Sequence, residues 1–206
     1  MFKIYELLKK SMLQLCFFFK GYEMNIVLIG SSTGGPNQLK FLLEDVDFAN
    51  SCAIIAQHMS ARFISSFARQ LNKEVKSEVI LANDKEPLMR NKIYICQYNM
   101  TLQGSLNLHL SLSDEKTTFN PNINLLFNSA LPFANANKML AILLTGMADD
   151  GAKGMFELYK AGVKCVCENE EDCVVYGMPK KAQELNPKLK ALSLRDIKRE
   201  IINFIE

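Results

Sequence analysis

A glycine-rich segment near the start of the chain carries the residues best suited to chemistry. Residues 30–34 read GSSTG, directly after the apolar run 26–29 and ahead of a helix-like stretch. This is the G-x-S-x-G pattern of a strand-to-helix turn, which presents a serine hydroxyl above a sheet at the positive end of a helix dipole. The pattern makes Ser32 a candidate nucleophile. Because a serine hydroxyl is a weak nucleophile by itself, this hypothesis requires a nearby base and a group that orients the base.

Two histidines are available as the base. His58 ends the second apolar run, so we expect it at the same carboxyl edge of the sheet as Ser32, where open α/β sheets bind ligands. His109 lies in the alternating segment SLNLHLSLS, on the outward face, and we expect it to be exposed to solvent. The leucines expected to point inward from that segment are Leu106, Leu108, Leu110 and Leu112. A histidine at a strand end is usually structural, but its place beside Ser32 favours His58 as the base.

The orienting acid is expected at a third carboxyl edge, where Asp149 and Asp150 follow the apolar run 139–144 and precede another helix-like stretch. An aspartate directly before a helix is also a good N-cap, so one of the two could cap while the other holds the imidazole. Spacing alone does not choose between them. The chain order Ser, His, Asp differs from the Ser, Asp, His order of α/β-hydrolases, but geometry rather than order defines a triad.

A phosphate-binding loop is the main alternative for the glycine-rich segment. Pro36 and Asn37 stand where a P-loop needs its lysine and hydroxyl, and the glycines lack the G-x-G-x-x-G spacing. The residue after the second apolar run is Gln57 rather than the acid that binds a ribose. A nucleotide-binding domain is therefore the weakest hypothesis. A loop that serves only packing or weak anion binding is the alternative without catalysis.

Apolar runs and helical periodicity alternate along the chain. The runs suited to buried parallel strands are 26–29, 52–56, 139–144 and 163–167. Helical patterns follow the first three, with Gly162 placed to end the third helix, and the tail 193–206 reads as a closing helix capped by Ser193. We predict an α/β fold with a doubly wound, mostly parallel sheet and helices on both faces. The strand-like segments KIYIC and SLNLHLSLS interrupt this pattern. The second alternates strictly, which predicts an antiparallel edge strand or a small antiparallel hairpin at the edge.

Composition excludes several classes of protein. The 206 residues are 49% hydrophobic and carry a formal charge of +2 from 24 basic and 22 acidic side chains, which suits one globular domain and provides no field for nucleic acid. The six cysteines lack C-x-x-C spacing, and with two histidines a zinc site would be short of ligands. We expect reduced thiols in a cytoplasmic protein, with no metal.

The first 24 residues are expected to form a poorly ordered extension ahead of a domain spanning 25–206, with Met24 one possible true start. The apolar run 12–19 lies between lysines and is too short to span a membrane. We therefore expect no direct membrane insertion, with a membrane-facing anchor as the alternative.

Four separated segments, in order, resemble a known family: IGSSTGGP, AQHMSARFISSFARQLN, ILLTGMADDGAKGM and CVVYGMPKKA. They are similar to the catalytic domain of the protein-glutamate methylesterase/glutaminase of bacterial chemotaxis, from about residue 25 to the C-terminus. The resemblance implies that Ser32 is the nucleophile, His58 its base and Asp150, rather than Asp149, the orienting acid. It implies that Thr33 and the backbone amide of Met147 line the site and act as oxyanion donors.

The implied reaction is hydrolysis of glutamyl γ-methyl esters on the cytoplasmic helical region of methyl-accepting chemoreceptors, with deamidation of glutamines as a related activity. Attack by Ser32 would release methanol and leave an acyl-enzyme, which water activated by His58 would hydrolyse, without metal or organic cofactor. A receptor-binding adaptor with vestigial catalysis is the alternative function.

The sequence also departs from the family pattern. Only about two dozen residues precede the first predicted strand, so we expect no receiver domain in this chain. Segment 94–100 is shortened and lacks the histidine usual in the family, and Asn120 and Asn124 replace an arginine and an aspartate. We expect altered substrate contacts at these segments.

Overall fold

The computed structural model describes residues 24–105 and 107–206. This part of the chain contains ten β-strands and six α-helices. The strands are β1 (Asn25–Ser31), β2 (Ser51–Gln57), β3 (Glu78–Leu81), β4 (Glu86–Pro87), β5 (Lys92–Ile95), β6 (Met100–Gln103), β7 (His109–Leu112), β8 (Met139–Leu143), β9 (Lys164–Glu168) and β10 (Lys190–Leu192). The helices are α1 (Gly35–Leu43), α2 (Ala61–Glu74), α3 (Ile123–Ala130), α4 (Ala152–Lys160), α5 (Met178–Leu185) and α6 (Leu194–Ile205). A 3₁₀ turn, Leu131–Phe133, follows α3.

Seven strands form one parallel sheet in the order β10-β9-β8-β1-β2-β5-β3. Strand β1 lies at its centre, with β2 on one side and β8 on the other. The chain winds outward from β1 in one direction and later returns to β8 to wind in the other. This reversal makes the ends of β1 and β8 a topological switch point, where open α/β sheets bind their ligands.

The central strands are apolar on both faces because each face is covered by helices. In β1, Ile26 and Leu28 belong to one buried cluster, whereas Val27 and Ile29 belong to the other. Helices α3, α4 and α5 pack on the first cluster, and α1, α2 and α6 pack on the second. The predicted doubly wound architecture with helices on both faces is confirmed.

The middle of the chain contains the two strand-like segments that interrupt the predicted alternation. KIYIC contains β5, which pairs in parallel with β2 and β3 inside the large sheet and so does not interrupt it. The predicted antiparallel hairpin is confirmed as β6 and β7, and β4 extends it to a sheet of three strands, β4-β7-β6. The places of β4 and β5 depend on pairing between strands that no local pattern encodes.

The alternating segment around β7 is only partly buried as predicted. Leu110 is buried and Leu108 is half-buried against the core, but Leu112 is 47% exposed because it lies at the end of the strand, beyond the core. His109, expected to be exposed, is half-buried in β7. Leu106 lies outside the described residues.

The predicted helix ends are confirmed. Gly162, one residue beyond the C-cap Ala161 of α4, has a left-handed φ of 84°, and its N–H donates to the carbonyl of Tyr159. The Ser193 side chain accepts from the N–H of Asp196 and caps α6. The predicted extension, residues 1–24, lies outside the described residues except for Met24, which packs against the core. No helix in the part that the structure describes is long and apolar enough to cross a bilayer.

Candidate active site

The three residues of the predicted triad lie where β1, β2 and β8 end. Ser32 directly follows β1, His58 directly follows β2, and Asp150 lies in the loop between β8 and α4. The turn after β1 requires a glycine at position 34, whose φ of 89° is left-handed, and α1 begins immediately after it. Parallel pairing of β1 with β2 and β8 therefore places the three loops at one edge of the sheet.

His58 and Asp150 are in direct contact. The Nε2 atom of His58 lies 2.8 Å from Oδ2 of Asp150, and the two side chains are 10% and 2% exposed. Asp150 also accepts hydrogen bonds from the N–H groups of Ile123, at 2.7 Å, and Asn124, at 2.9 Å, in the first turn of α3. Burial by itself raises the pKa of the Asp150 carboxyl, but the hydrogen bonds from His58 and from these two N–H groups outweigh it, and the net pKa is lowered. The carboxylate is therefore ionised at neutral pH and holds the imidazole.

Neither aspartate caps α4 with its side chain, so the capping alternative is wrong. The N-cap of α4 is Gly151, in a left-handed conformation. Asp150 is turned toward His58 and α3, and the neighbouring Asp149 is exposed. The structure thus separates the two aspartates that spacing could not.

The second ring nitrogen of His58 is free to take up a proton. Because Nε2 faces a carboxylate, its hydrogen lies on that atom and Nδ1 carries the lone pair. Nδ1 is buried and has no hydrogen-bond partner among the described residues. The ring of Phe119 stacks on the imidazole, with centroids 4.5 Å apart and planes inclined by 9°. The imidazole is thus held at one nitrogen and on one face.

Gln57 joins the loops that carry Ser32 and His58. Its Nε2 donates to the backbone carbonyls of both residues, at 2.9 and 3.0 Å, and its Oε1 accepts from the hydroxyl of Ser31 at 2.6 Å. The N–H of His58 donates to the carbonyl of Ser31. Ser31 is thus buried and its hydroxyl is hydrogen-bonded to Gln57, whereas the hydroxyl of Ser32 has no partner among the described residues. Of the two adjacent serines, Ser32 is the one available to react.

Backbone N–H groups flank Ser32 on two sides. A Cβ added to Gly146 would lie 2.6 Å from Cβ of Ser32, so the loop after β8 passes directly against this serine. In the described chain, neither the N–H of Thr33 nor that of Met147 has an acceptor. Ala148, after Met147, has a left-handed φ of 69°. An N–H on the residue after a nucleophile and another from a neighbouring loop make up the usual oxyanion hole.

The loop that supplies Phe119 is tied to the shortened segment 94–100. Asn99 is buried; its Nδ2 donates to Oγ1 of Thr117 and its Oδ1 accepts from the N–H of Asn122. Asn122 in turn caps α3, the helix that binds Asp150. Asn99, Phe119 and the role of Gln57 could not be predicted from the sequence, because they depend on contacts with residues distant in sequence.

Asn124, expected to alter a substrate contact, is engaged within the fold. Its Oδ1 accepts from the N–H of Gly154 at 2.8 Å and so joins α3 to α4. Asn120 is exposed.

Cysteine and metal chemistry receive no support from the described residues. Burial raises the pKa of the thiols of Cys52, Cys96 and Cys165 to about 12, so the reactive thiolate is scarce at neutral pH. Within residues 24–105 and 107–206, no group of three or more His, Cys, Asp or Glu side chains could hold a metal ion.

The chain is similar to known proteins of one family. Residues 27–201 match the family described as CheB methylesterase. The chain is 36% identical over 183 residues to protein-glutamate methylesterase/protein-glutamine glutaminase 2 of Rhodospirillum rubrum, covering 86% of this chain and 50% of that protein. It is 30% identical over 182 residues to the Salmonella typhimurium protein-glutamate methylesterase/protein-glutamine glutaminase, covering 86% of this chain and 52% of that protein. The chain thus spans about half the length of these curated relatives.

A solved structure covers the same region. The crystal structure of the Thermotoga maritima CheB methylesterase catalytic domain superposes with a TM-score of 0.80 at 30% sequence identity, over 88% of this chain and 99% of that one. The fold, the four sequence segments and the family match agree, and the chain belongs to the CheB methylesterase family.

Proposed function

We propose that this chain is a serine hydrolase that demethylates glutamyl γ-methyl esters on bacterial chemoreceptors, with deamidation of glutamines as a second activity. One observation carries the proposal. An ionised Asp150 holds His58 by one nitrogen and leaves the other without a partner among the described residues, on a loop that Gln57 joins to the loop of Ser32, the available hydroxyl of the adjacent pair. The names of the relatives, protein-glutamate methylesterase/protein-glutamine glutaminase, support the choice of ester and amide substrates.

The proposed reaction has two steps. In the first, the oxygen of Ser32 attacks the ester carbonyl, Nδ1 of His58 takes the hydroxyl proton, and the N–H groups of Thr33 and Met147 stabilise the oxyanion. The protonated imidazole then gives its proton to the departing methoxide, which leaves as methanol. In the second step, His58 activates a water that hydrolyses the acyl-enzyme to free glutamate. A glutamine substrate would release ammonia by the same route.

The surroundings of Ser32 suit a macromolecular substrate. Met147 is 61% exposed and Val174 is 64% exposed, and Val174 lies directly over Gly34 in the nucleophile loop. An open apolar rim of this kind can contact the side of a helix while one ester side chain enters the site. We therefore propose the cytoplasmic helical region of a methyl-accepting chemoreceptor as the partner and the cytoplasm as the location.

Release of methanol from a methyl-labelled chemoreceptor tests this function. Wild-type chain is expected to release labelled methanol, and the Ser32→Ala variant is expected to release none above background. Ser66→Ala, at an exposed serine of α2, is the matched control and should behave as wild type. Equal release by wild type and Ser32→Ala would contradict the proposal, and receptor binding without release would favour the adaptor alternative.

Removing the ring of Phe119 is expected to slow turnover modestly. Stacked aromatic pairs contribute about 0.5–1.5 kcal/mol, so Phe119→Ala should lower kcat roughly 2- to 10-fold by loosening the His58 ring. The melting temperature should fall by only a few degrees, because Phe119 is half-buried and the stack contributes about 0.5–1.5 kcal/mol. Phe41→Ala, at a half-exposed phenylalanine of α1, is the control. An unchanged kcat in Phe119→Ala would show that the stack does not orient the imidazole.

A further inference from the structure

Glu168 is a fully buried carboxyl that the proposed reaction does not use. It is the last residue of β9, and its exposure is 0%. In the described part of the chain, no lysine or arginine pairs with it. Burial raises its pKa to about 7, partly offset by hydrogen bonds from Thr145 and Cys173. The group therefore changes charge near neutral pH, although it is sealed from solvent.

The two oxygens of Glu168 contact segments on either side of the nucleophile loop. Oε2 accepts from the backbone N–H of Thr145 at 2.6 Å, in the loop after β8. Oε1 accepts from Nε2 of Gln38, on α1, the helix that follows Ser32. The other titratable groups near the carboxyl are the thiols of Cys167 and Cys173 and the Asp172 carboxylate, and none brings a positive charge.

Thr145 transmits this contact to Ser32. The N–H of Ser32 donates to the carbonyl of Thr145 at 2.9 Å. The hydroxyl of Thr145 donates to the carbonyl of Thr33 at 2.9 Å and accepts from the N–H of Val175. Thr145 also precedes Gly146 and Met147, so its position sets the backbone on both sides of the proposed oxyanion hole. Glu168 is the side chain that holds the N–H of Thr145.

We propose that Glu168 is a positioning residue for the nucleophile loop, and that its carboxylate form sets Thr145, and through it Ser32 and the oxyanion donors, in the active arrangement. The expected effect on turnover rests on the proposed esterase function, whereas the contact between Glu168 and the loop does not depend on it. A hydrogen bond to an ionised acceptor is about twice as strong as one to a neutral acceptor. Protonation of Glu168 thus weakens its hold on Thr145.

Protonation also changes the contact with α1. A proton on Oε1 would face the amide nitrogen of Gln38, itself a donor, so the amide must turn. The amide oxygen of Gln38 is buried without a partner among the described residues and can accept that proton after the turn. Turning would break the bond from its Nε2 to the carbonyl of Asp172. The two protonation states of Glu168 therefore correspond to two arrangements of the Gln38 amide.

The Glu168→Gln variant imitates the protonated state, because glutamine is uncharged and nearly the same shape. Its kcat should equal that of wild type at low pH, where both side chains are uncharged. Above about pH 8 its kcat should fall roughly 5- to 10-fold below wild type, because a hydrogen bond to a neutral acceptor is weaker than one to a carboxylate. A merely structural role would give the same kcat ratio at every pH. Glu171→Gln, at an exposed carboxylate of the same segment, is the control and should follow wild type throughout.

Stability gives a readout that is independent of turnover. A carboxyl whose pKa is raised in the fold, from 4.5 to about 7, stabilises the fold fully below pH 4.5 and loses that contribution as the pH rises through 7. Glu168→Gln has no such loss, so its melting temperature relative to wild type should rise by several degrees between about pH 5 and about pH 8. A pH-independent difference would contradict the assignment.

The deciding experiment is a pH titration of the Thr145 backbone amide by NMR, in wild type and in Glu168→Gln. In wild type the Thr145 N–H signal should shift with a midpoint near pH 7, and in the variant that transition should be absent. A Thr145 signal that does not titrate in wild type, or kcat profiles of identical shape in the two proteins, would overturn the proposal. If wild type releases no methanol, the proposed function fails, whereas the amide titration still tests the contact in wild type alone, even if the variant does not fold.

Discussion

Replacing Ser32 or His58 with alanine is expected to lower kcat on the order of 10⁶-fold, the loss typical of the serine and histidine of a hydrolytic triad. Ser32→Ala removes the proposed attacking oxygen, and His58→Ala removes the proposed base, whose Nδ1 has no partner in the described chain. Because the two residues act as one catalytic unit, the double variant should be scarcely slower than either single variant. Methanol release from a methyl-labelled receptor measures all three.

His109→Ala is the matched control for the histidine, since His109 lies in β7 of the small sheet. It should retain wild-type kcat. Loss of turnover in His109→Ala with full activity in His58→Ala would show that the base has been assigned to the wrong histidine. Losses that multiply in the double variant would show that Ser32 and His58 do not act as one unit.

Asp150→Asn is expected to lower kcat by about 10⁴-fold, as the equivalent change does in serine proteases. An amide at this position would present the wrong hydrogen-bond partner to Nε2 of His58 and would remove the charge that stabilises the imidazolium. Asp149→Asn is the control, because Asp149 is exposed and makes no side-chain hydrogen bond within the described residues. It should keep nearly full activity, and a larger loss from Asp149→Asn would reverse the assignment.

The same substitution should also destabilise the fold, because Asp150 accepts hydrogen bonds from the N–H groups of Ile123, Asn124 and Gly151. We expect a loss of about 1–3 kcal/mol of unfolding free energy near neutral pH. The pKa of Asp150 is lowered in the fold, so the carboxylate stabilises above its ordinary pKa, and this contribution is lost as the pH falls through the lowered value. The stability difference between Asp150→Asn and wild type should therefore shrink in acid. A difference that does not change with pH would contradict the ionised state of this side chain.

Short-range patterns were sufficient to predict the elements that carry the site. The apolar runs 26–29, 52–56 and 139–144 are buried strands, as predicted, because sheets covered on both faces require uninterrupted apolar residues. A residue directly after each of two such strands lies at the carboxyl edge in any parallel sheet, and this placed Ser32 and His58 correctly in the fold.

Contacts between segments distant in sequence could not be predicted. Asp150 differs from Asp149 because its carboxylate binds the first turn of α3, 26 and 27 residues earlier in the chain. Phe119, stacked on His58, reaches the site on a loop that the buried Asn99 ties in place. No periodicity marks these residues, since each matters through a partner that only the tertiary fold brings near. In the sequence, Glu168 is likewise only the last residue of a strand, and its hydrogen bond to Thr145 appears only in the tertiary fold.

Covalent modification by a serine-directed fluorophosphonate identifies the nucleophile directly. Mass spectrometry of the wild-type chain should find the adduct on Ser32 and not on Ser31, whose hydroxyl is bound to Gln57. Labelling should be lost in His58→Ala, because the hydroxyl then has no base. An adduct on Ser31, or equal labelling of Ser32 with and without His58, would contradict the assignment of Ser32 as a nucleophile activated by His58.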